Sequence, residues 1–152
     1  MKTGFRLHVK LGINGRQRDE VLADLVEAIP ELSGQAEAKE KLLRALRERE
    51  SLHSTGIGDG VALPHARNGI VGLVDQPLVL FGRHDDGVPF GAIDGQPSKL
   101  FFLLVATTVT EHLALLARLS RFLRDAKVRD QLLVASRPEQ VRALLAPLSQ
   151  SP

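Results

Sequence analysis

The sequence predicts an α/β domain, a central sheet covered by helices on both faces, and three observations carry that reading. Phe5 to Leu11 alternates apolar and polar residues, the two-residue period of a half-buried strand. From Val21 onward the period changes to that of a helix. Leu100 to Ala106 is a nearly unbroken apolar run, suited to a strand buried on both faces. With 152 residues and no internal repeat, low-complexity tract or linker, the chain reads as one domain over 1–152.

Taken in order, the first strand closes at Gly12 and the Asn14-Gly15 turn. Val21, Leu22, Leu25, Val26 and Ile29 then share one helical face, and Pro30 marks its stop. Leu32-Ser33-Gly34 opens a second helix, with Leu42, Leu43 and Leu46 as its apolar stripe and Lys39, Glu40, Lys41, Arg44 and Arg47 in water. Val61 to Leu63 is long enough for a short buried strand. Strand-like segments follow at Gly69 to Val74 and Leu78 to Phe81, separated from Leu100 to Ala106 by turn-rich stretches at Asp85 to Gly87 and Ile93 to Pro97. Thr107 to Thr110 offers N-caps for a helix whose apolar residues are Leu113, Leu115, Leu116, Leu119, Phe122 and Leu123. Two short helices complete the chain, Val128 to Ala135 and one that begins at Pro138 and runs through Leu145.

Composition narrows the function. There is no cysteine, which excludes disulfides, thiolate metal sites and cysteine nucleophiles and fits a reducing compartment. No apolar run is long enough to cross a bilayer, and Lys2, Arg6 and Lys10 interrupt the N-terminal hydrophobic residues, so the expectation is a cytoplasmic protein without membrane insertion. The pI is near 9.3, yet the formal net charge is only +2 and acidic residues are interspersed with basic ones. With six Phe, no Tyr and no Trp, the chain lacks the basic stripe and stacking aromatics of a nucleic-acid binder. A modest positive charge suits an acidic or phosphorylated protein partner.

The segment Ser54-Thr55-Gly56-Ile57-Gly58-Asp59-Gly60-Val61-Ala62-Leu63-Pro64-His65 carries the chemistry. Glycine permits positive φ and lets amide N–H groups approach an anion, so Ser54, Thr55, Gly56, Gly58 and Gly60 are the candidate phosphoryl cradle. Pro64 stiffens the strand exit and sets His65 at the rim of the sheet, open to a partner. A neutral imidazole can attack phosphorus without a separate base. No Gly-x-x-x-x-Gly-Lys-Ser/Thr occurs, and valine at 61 breaks Gly-x-Gly-x-x-Gly, which disfavours a nucleotide site. Neither His-x-x-x-His nor His-Glu-x-x-His occurs, which disfavours a metal hydrolase built on His65 and His112.

Glu50, Ile57, Gly58, Val61, Ala62, Leu63, Pro64, His65 and Ala66 stand in fixed register, and on them the chain resembles the enzyme IIA domain of the bacterial phosphoenolpyruvate-dependent phosphotransferase system, in the fructose/mannitol class that includes nitrogen-regulatory IIA proteins. Arg49-Glu50, Phe90 to Pro97 and His112-Leu113 extend the likeness, which is weakest before about residue 17 and after about 135. His53 departs from it, standing where relatives often carry Gly. The resemblance implies a mixed sheet of the enzyme IIA fructose/mannitol type. It also implies that His65 takes a phosphoryl group from the phosphohistidine of a small carrier such as HPr and hands it to a IIB subunit or, in a regulatory protein, controls docking to a target protein. With no cysteine for a fused IIB site and no membrane part, any transporter is expected on a separate chain.

His112, by the same resemblance, lies beside His65 and hydrogen-bonds the phosphoryl oxygens, whereas alone it would read as a surface residue in the first turn of a helix. Arg49 has two readings, a guanidinium clamp for phosphate and a charge that suits the end of its own helix. Arg67, two residues past His65, and Asp94 are candidate partner contacts. His8, His53 and His84 have no spacing that joins them to the site. Transfer between imidazoles asks for positioning and charge screening, with no metal or cofactor required by these residues.

Overall fold

The computed structural model describes residues 4–66 and 72–149, the side chain of Ser149 excepted. Among them runs a five-stranded sheet of β1 (Arg6–Lys10), β2 (Gly56–Gly58), β3 (Val61–Ala62), β4 (Leu78–Val88) and β5 (Ser98–Val105), in the order β1-β4-β5-β3-β2. The sheet is mixed. β1 is parallel to β4 and β3 to β5, while β4/β5 and β2/β3 are antiparallel.

Strand parity explains why β5, and β4 over Leu78 to Phe81, are apolar at nearly every position. Leu78 and Leu80, with Phe101, Leu103 and Val105, face the layer formed by α1 (Arg18–Glu27) and α2 (Ala36–Leu52). Val79 and Phe81, with Leu100, Phe102 and Leu104, face α3 (Val109–Phe122), α4 (Ala126–Val134) and α5 (Pro138–Ser149). A strand between two helical layers has no wet side, so alternation disappears from its sequence. Each face carries a ring pair: Phe90 on Phe101, centroids 5.2 Å apart, and Phe81 on Phe102, 5.1 Å apart.

Several expectations are corrected by the structure. The second helix begins at Ala36 rather than Leu32, because Pro30–Leu32 forms a separate 3-10 turn and Gly34 takes a φ of +73°. Asp85 to Gly87 is no free turn: β4 runs on through it, with a pairing irregularity between Arg83 and Val88 and Gly87 at a φ of +85°. Of the strand expected over 69–74, residues 69–71 lie outside the described residues, Gly72 and Leu73 are turn and bend, and Val74 belongs to no strand. α4 starts at Ala126, where Asp125 caps it by accepting from the Lys127 N–H at 2.9 Å. Leu113, placed on the apolar stripe from sequence, is 60% exposed, and His112 takes the inward position with Leu115 and Leu119.

Phe102 is fully buried at the centre of the α3 side. Phe102→Ala is expected to cost about 3–5 kcal/mol, read as a lower urea midpoint with an unchanged slope.

Candidate functional site

β2 and β3 form the short hairpin that delivers His65. Its ladder has two pairs, Gly56↔Ala62 and Gly58↔Val61, closed by a turn in which Gly58, Asp59 and Gly60 all have positive φ (94°, 56° and 77°). Beyond β3 the chain stays beside β5: the Leu104 N–H donates to the Pro64 carbonyl at 3.0 Å, and His65 bridges Leu104 in parallel register. Val61 and Leu63 point toward the α3 layer, and the two-residue period sends His65 to the same side.

There the His65 ring lies 5.1 Å from that of His112, centroid to centroid, tilted by 55°. His112 reaches this point from the first turn of α3, which Thr108 caps by accepting from the Glu111 N–H at 3.1 Å. Both rings are more enclosed than the sequence suggests, His65 at 9% exposed and His112 at 3%. For His65 the reason is local. Its ring turns back so that Nδ1–H donates to the Leu63 carbonyl at 2.6 Å. That bond fixes the tautomer and leaves Nε2 with the free lone pair.

Burial lowers the pKa of the His65 imidazole from its ordinary 6.5, and the neighbouring His112 and Arg49 push the same way, against the Leu63 hydrogen bond. Burial lowers the His112 pKa as well. Two neutral imidazoles therefore sit together at neutral pH. Nδ1 of His112 is buried without a hydrogen-bond partner among the described residues, an unsatisfied group of the kind that an incoming phosphoryl oxygen could satisfy.

The glycine segment divides between the two ends of the hairpin. Ser54 and Thr55 are at the His65 end, where the Thr55 carbonyl accepts from the Leu63 N–H at 3.0 Å. Gly58 and Gly60 are at the other end: the Gly60 carbonyl accepts from Lys99 and Leu100, whereas His65 pairs with Leu104. Four residues of strand separate those positions, about 13 Å. Gly58 instead lines a cleft with Ser120 and Arg124, at the end of α3 opposite His112. The expected cradle of five residues is thus not one cluster. Nor are all its donors free: the Ser54 hydroxyl donates to the Phe90 carbonyl at 2.5 Å and accepts from the Gly56 N–H at 2.9 Å. Asp94 belongs to the far end too. Its carboxylate accepts from the Asp59 N–H at 2.9 Å and the Gln96 N–H at 3.1 Å, bonds that lower its pKa and lock the turn.

Arg49 takes the helix-end position of its second reading. One guanidinium N–H donates to the His53 carbonyl, closing the C-terminus of its own helix, and its charge is felt at His65. Arg67 lies outside the described residues. No group of three or more metal-ligating side chains occurs among the described residues, and none of their helices is long and apolar enough to cross a membrane.

A family model described as the EIIA 2 component of the phosphoenolpyruvate-dependent sugar phosphotransferase system matches residues 6–147. The chain belongs to this family. Among EIIA relatives, the fructose-specific EIIA component of Haloferax volcanii is 36% identical over 116 residues, 75% of this chain and 73% of that protein. A nitrogen regulatory protein of Bradyrhizobium diazoefficiens is 34% identical over 138 residues, covering 90% of this chain and 86% of its own length. The fructose-specific EIIABC component of Bacillus subtilis is 36% identical over 135 residues, and there the chain spans only 21% of the relative's length. In fold, the crystal structure of the nitrogen regulatory protein IIA-Ntr from Neisseria meningitidis superposes with a TM-score of 0.79 at 30% identity, over 91% of this chain and 95% of that one.

Within this EIIA chain, one residue at the site was given no role from sequence. Glu50 is 4% exposed, accepts from the Thr55 N–H at 3.0 Å and also from the Thr55 hydroxyl. Its signal was present: Leu42, Leu46 and Glu50 follow at four-residue steps and form the buried face of α2, so the apolar stripe ends on a carboxylate.

The lowered histidine pKa values set a pH dependence of stability. In the unfolded chain both imidazoles titrate near pH 6.5 and bind protons that the folded state refuses, so their stabilising contribution is present above about 6.5 and falls away as pH drops through that value toward the folded pKa. Glu50 runs the other way, because burial raises its pKa. Thermal melts between pH 8 and 5.5 are expected to show His65→Asn/His112→Asn losing less stability on acidification than the unmodified chain. Parallel curves would refute this.

Proposed function

We propose that His65 accepts a phosphoryl group from the phosphohistidine of an HPr-like carrier and passes it to a IIB partner. The observation that carries this reading is the pairing of a tautomer-locked, neutral His65 with a second neutral imidazole 5.1 Å away. The lone pair of Nε2 attacks phosphorus in line. As the new P–N bond forms, the bond to the donor imidazole breaks and its electron pair returns to that ring. The unpartnered nitrogen of His112 becomes a hydrogen-bond donor to a phosphoryl oxygen, and the negative charge arriving beside it favours its protonated form. Arg49 adds positive charge at the site, and the N-terminus of α3 adds a favourable dipole. Kinship supports the reading, since relatives of this family carry fructose-specific EIIA names.

A regulatory reading has its own support in the Bradyrhizobium and Neisseria proteins, both named nitrogen regulatory and both matched over most of their length. In that case the same phosphorylation of His65 selects which target protein docks. The chemistry at the imidazole is common to both.

Incubation with phosphoenolpyruvate and the upstream carriers is expected to label the unmodified chain and leave a folded His65→Ala unlabelled; retained label on that variant rejects the assignment. His112→Ala is expected to slow transfer or shorten the life of the phosphorylated form by about tenfold or more, the worth of a hydrogen bond to a charged group. Unchanged kinetics would remove His112 from the site.

A further inference from the structure

Glu50 occupies a place where the helical period calls for an apolar residue, at the end of the Leu42–Leu46 face of α2. Burying a carboxyl is costly unless its oxygens are hydrogen-bonded. Its two oxygens hold Thr55 at two points, the backbone N–H and the hydroxyl. Thr55 in turn accepts from the Leu63 N–H at 3.0 Å. The Leu63 carbonyl then accepts from Nδ1 of His65 at 2.6 Å. A continuous series of hydrogen bonds thus runs from the end of α2 to the imidazole.

The hairpin that these bonds cross cannot hold its own register firmly. Its ladder has two pairs with an irregularity between Gly56 and Gly58, and a strand so short and rich in glycine is weakly specified by pairing alone. The far end is pinned by Asp94 through the Asp59 N–H. At the His65 end the Glu50–Thr55 contact is a side-chain clamp, beside the Ser54 hydroxyl on the Phe90 carbonyl. Pro64 sharpens the requirement, since it has no N–H and contributes only its carbonyl to the pairing with β5. Where the Leu63 carbonyl sits then decides which ring nitrogen of His65 carries the proton.

We propose that Glu50 is a positioning residue for phosphoryl transfer: by clamping Thr55 it holds the Leu63 carbonyl against Nδ1–H of His65 and keeps Nε2 as the nitrogen that attacks. This rests on His65 being the phosphoryl acceptor, and it adds a residue that touches neither phosphorus nor the imidazole.

The test combines nitrogen-15 NMR of labelled histidine at pH 7.5 with phosphoryl-transfer rates. The unmodified chain is expected to show Nδ1 protonated and Nε2 bare. Glu50→Ala, folded by circular dichroism, is expected to show both tautomers and transfer about tenfold more slowly. Glu50→Asp, with the carboxylate drawn back, shifts both readouts the same way by less, and it decides the matter if the alanine variant does not fold. Glu50→Gln can accept from the Thr55 N–H and donate to its hydroxyl, and it is expected to restore the tautomer and most of the rate. A folded alanine or aspartate variant with the original tautomer, whatever its rate, overturns the proposal, as does a glutamine variant as impaired as alanine. Label retained on His65→Ala would reject the acceptor assignment while leaving the tautomer measurement valid.

Discussion

Burial of β5 on both faces is the constraint from which the site follows. A strand with no wet side is held rigidly by the two layers that enclose it, and β3 and the Pro64-His65 exit lie alongside it. Parity then leaves no choice of direction: Leu63 packs in the α3 layer, and His65, two residues on, faces the same way, where the capped first turn of α3 presents His112. The pair of rings is therefore a product of sheet register and helix placement, and it does not depend on any contact between the rings themselves.

Electrostatics follow from that enclosure. An exposed imidazole near pH 7 would be partly protonated and a poor nucleophile; here burial, with the Arg49 charge and the neighbouring His112 imidazole adding to it, keeps the His65 ring neutral. The same features are unfavourable to the resting protein, because a buried ring nitrogen without a partner, such as Nδ1 of His112, costs stability. A functional site is where a folded chain keeps such a group.

The sequence was informative wherever a single period governed a segment. Alternation in β1, the helical face of Val21 to Ile29 and the apolar run of β5 all translate into the elements observed, and Pro64-His65 in its register marked the proposed acceptor. It was less informative where one residue serves two geometries. Leu113 looks apolar and His112 polar, yet the turn of α3 buries the histidine and exposes the leucine, because helix orientation depends on packing that no local pattern records. The glycines read as one cradle because they are adjacent in sequence, whereas a hairpin carries adjacent residues to opposite ends. Glu50 stood in the motif with no role attached, among the charges of a wet helix; its spacing from Leu42 and Leu46 was the sign that it is buried.

The two borders of the sheet carry a further meaning. Along β2, the Phe90 carbonyl takes the Ser54 hydroxyl and the Asp94 carboxylate takes the Asp59 N–H, so a crossing loop, not another strand, seals that border. Along β1, the Arg142 guanidinium already occupies the Leu7 carbonyl at 2.6 Å. A sheet finished in this way resists growth by strand addition, so at these borders it offers side chains in place of free backbone.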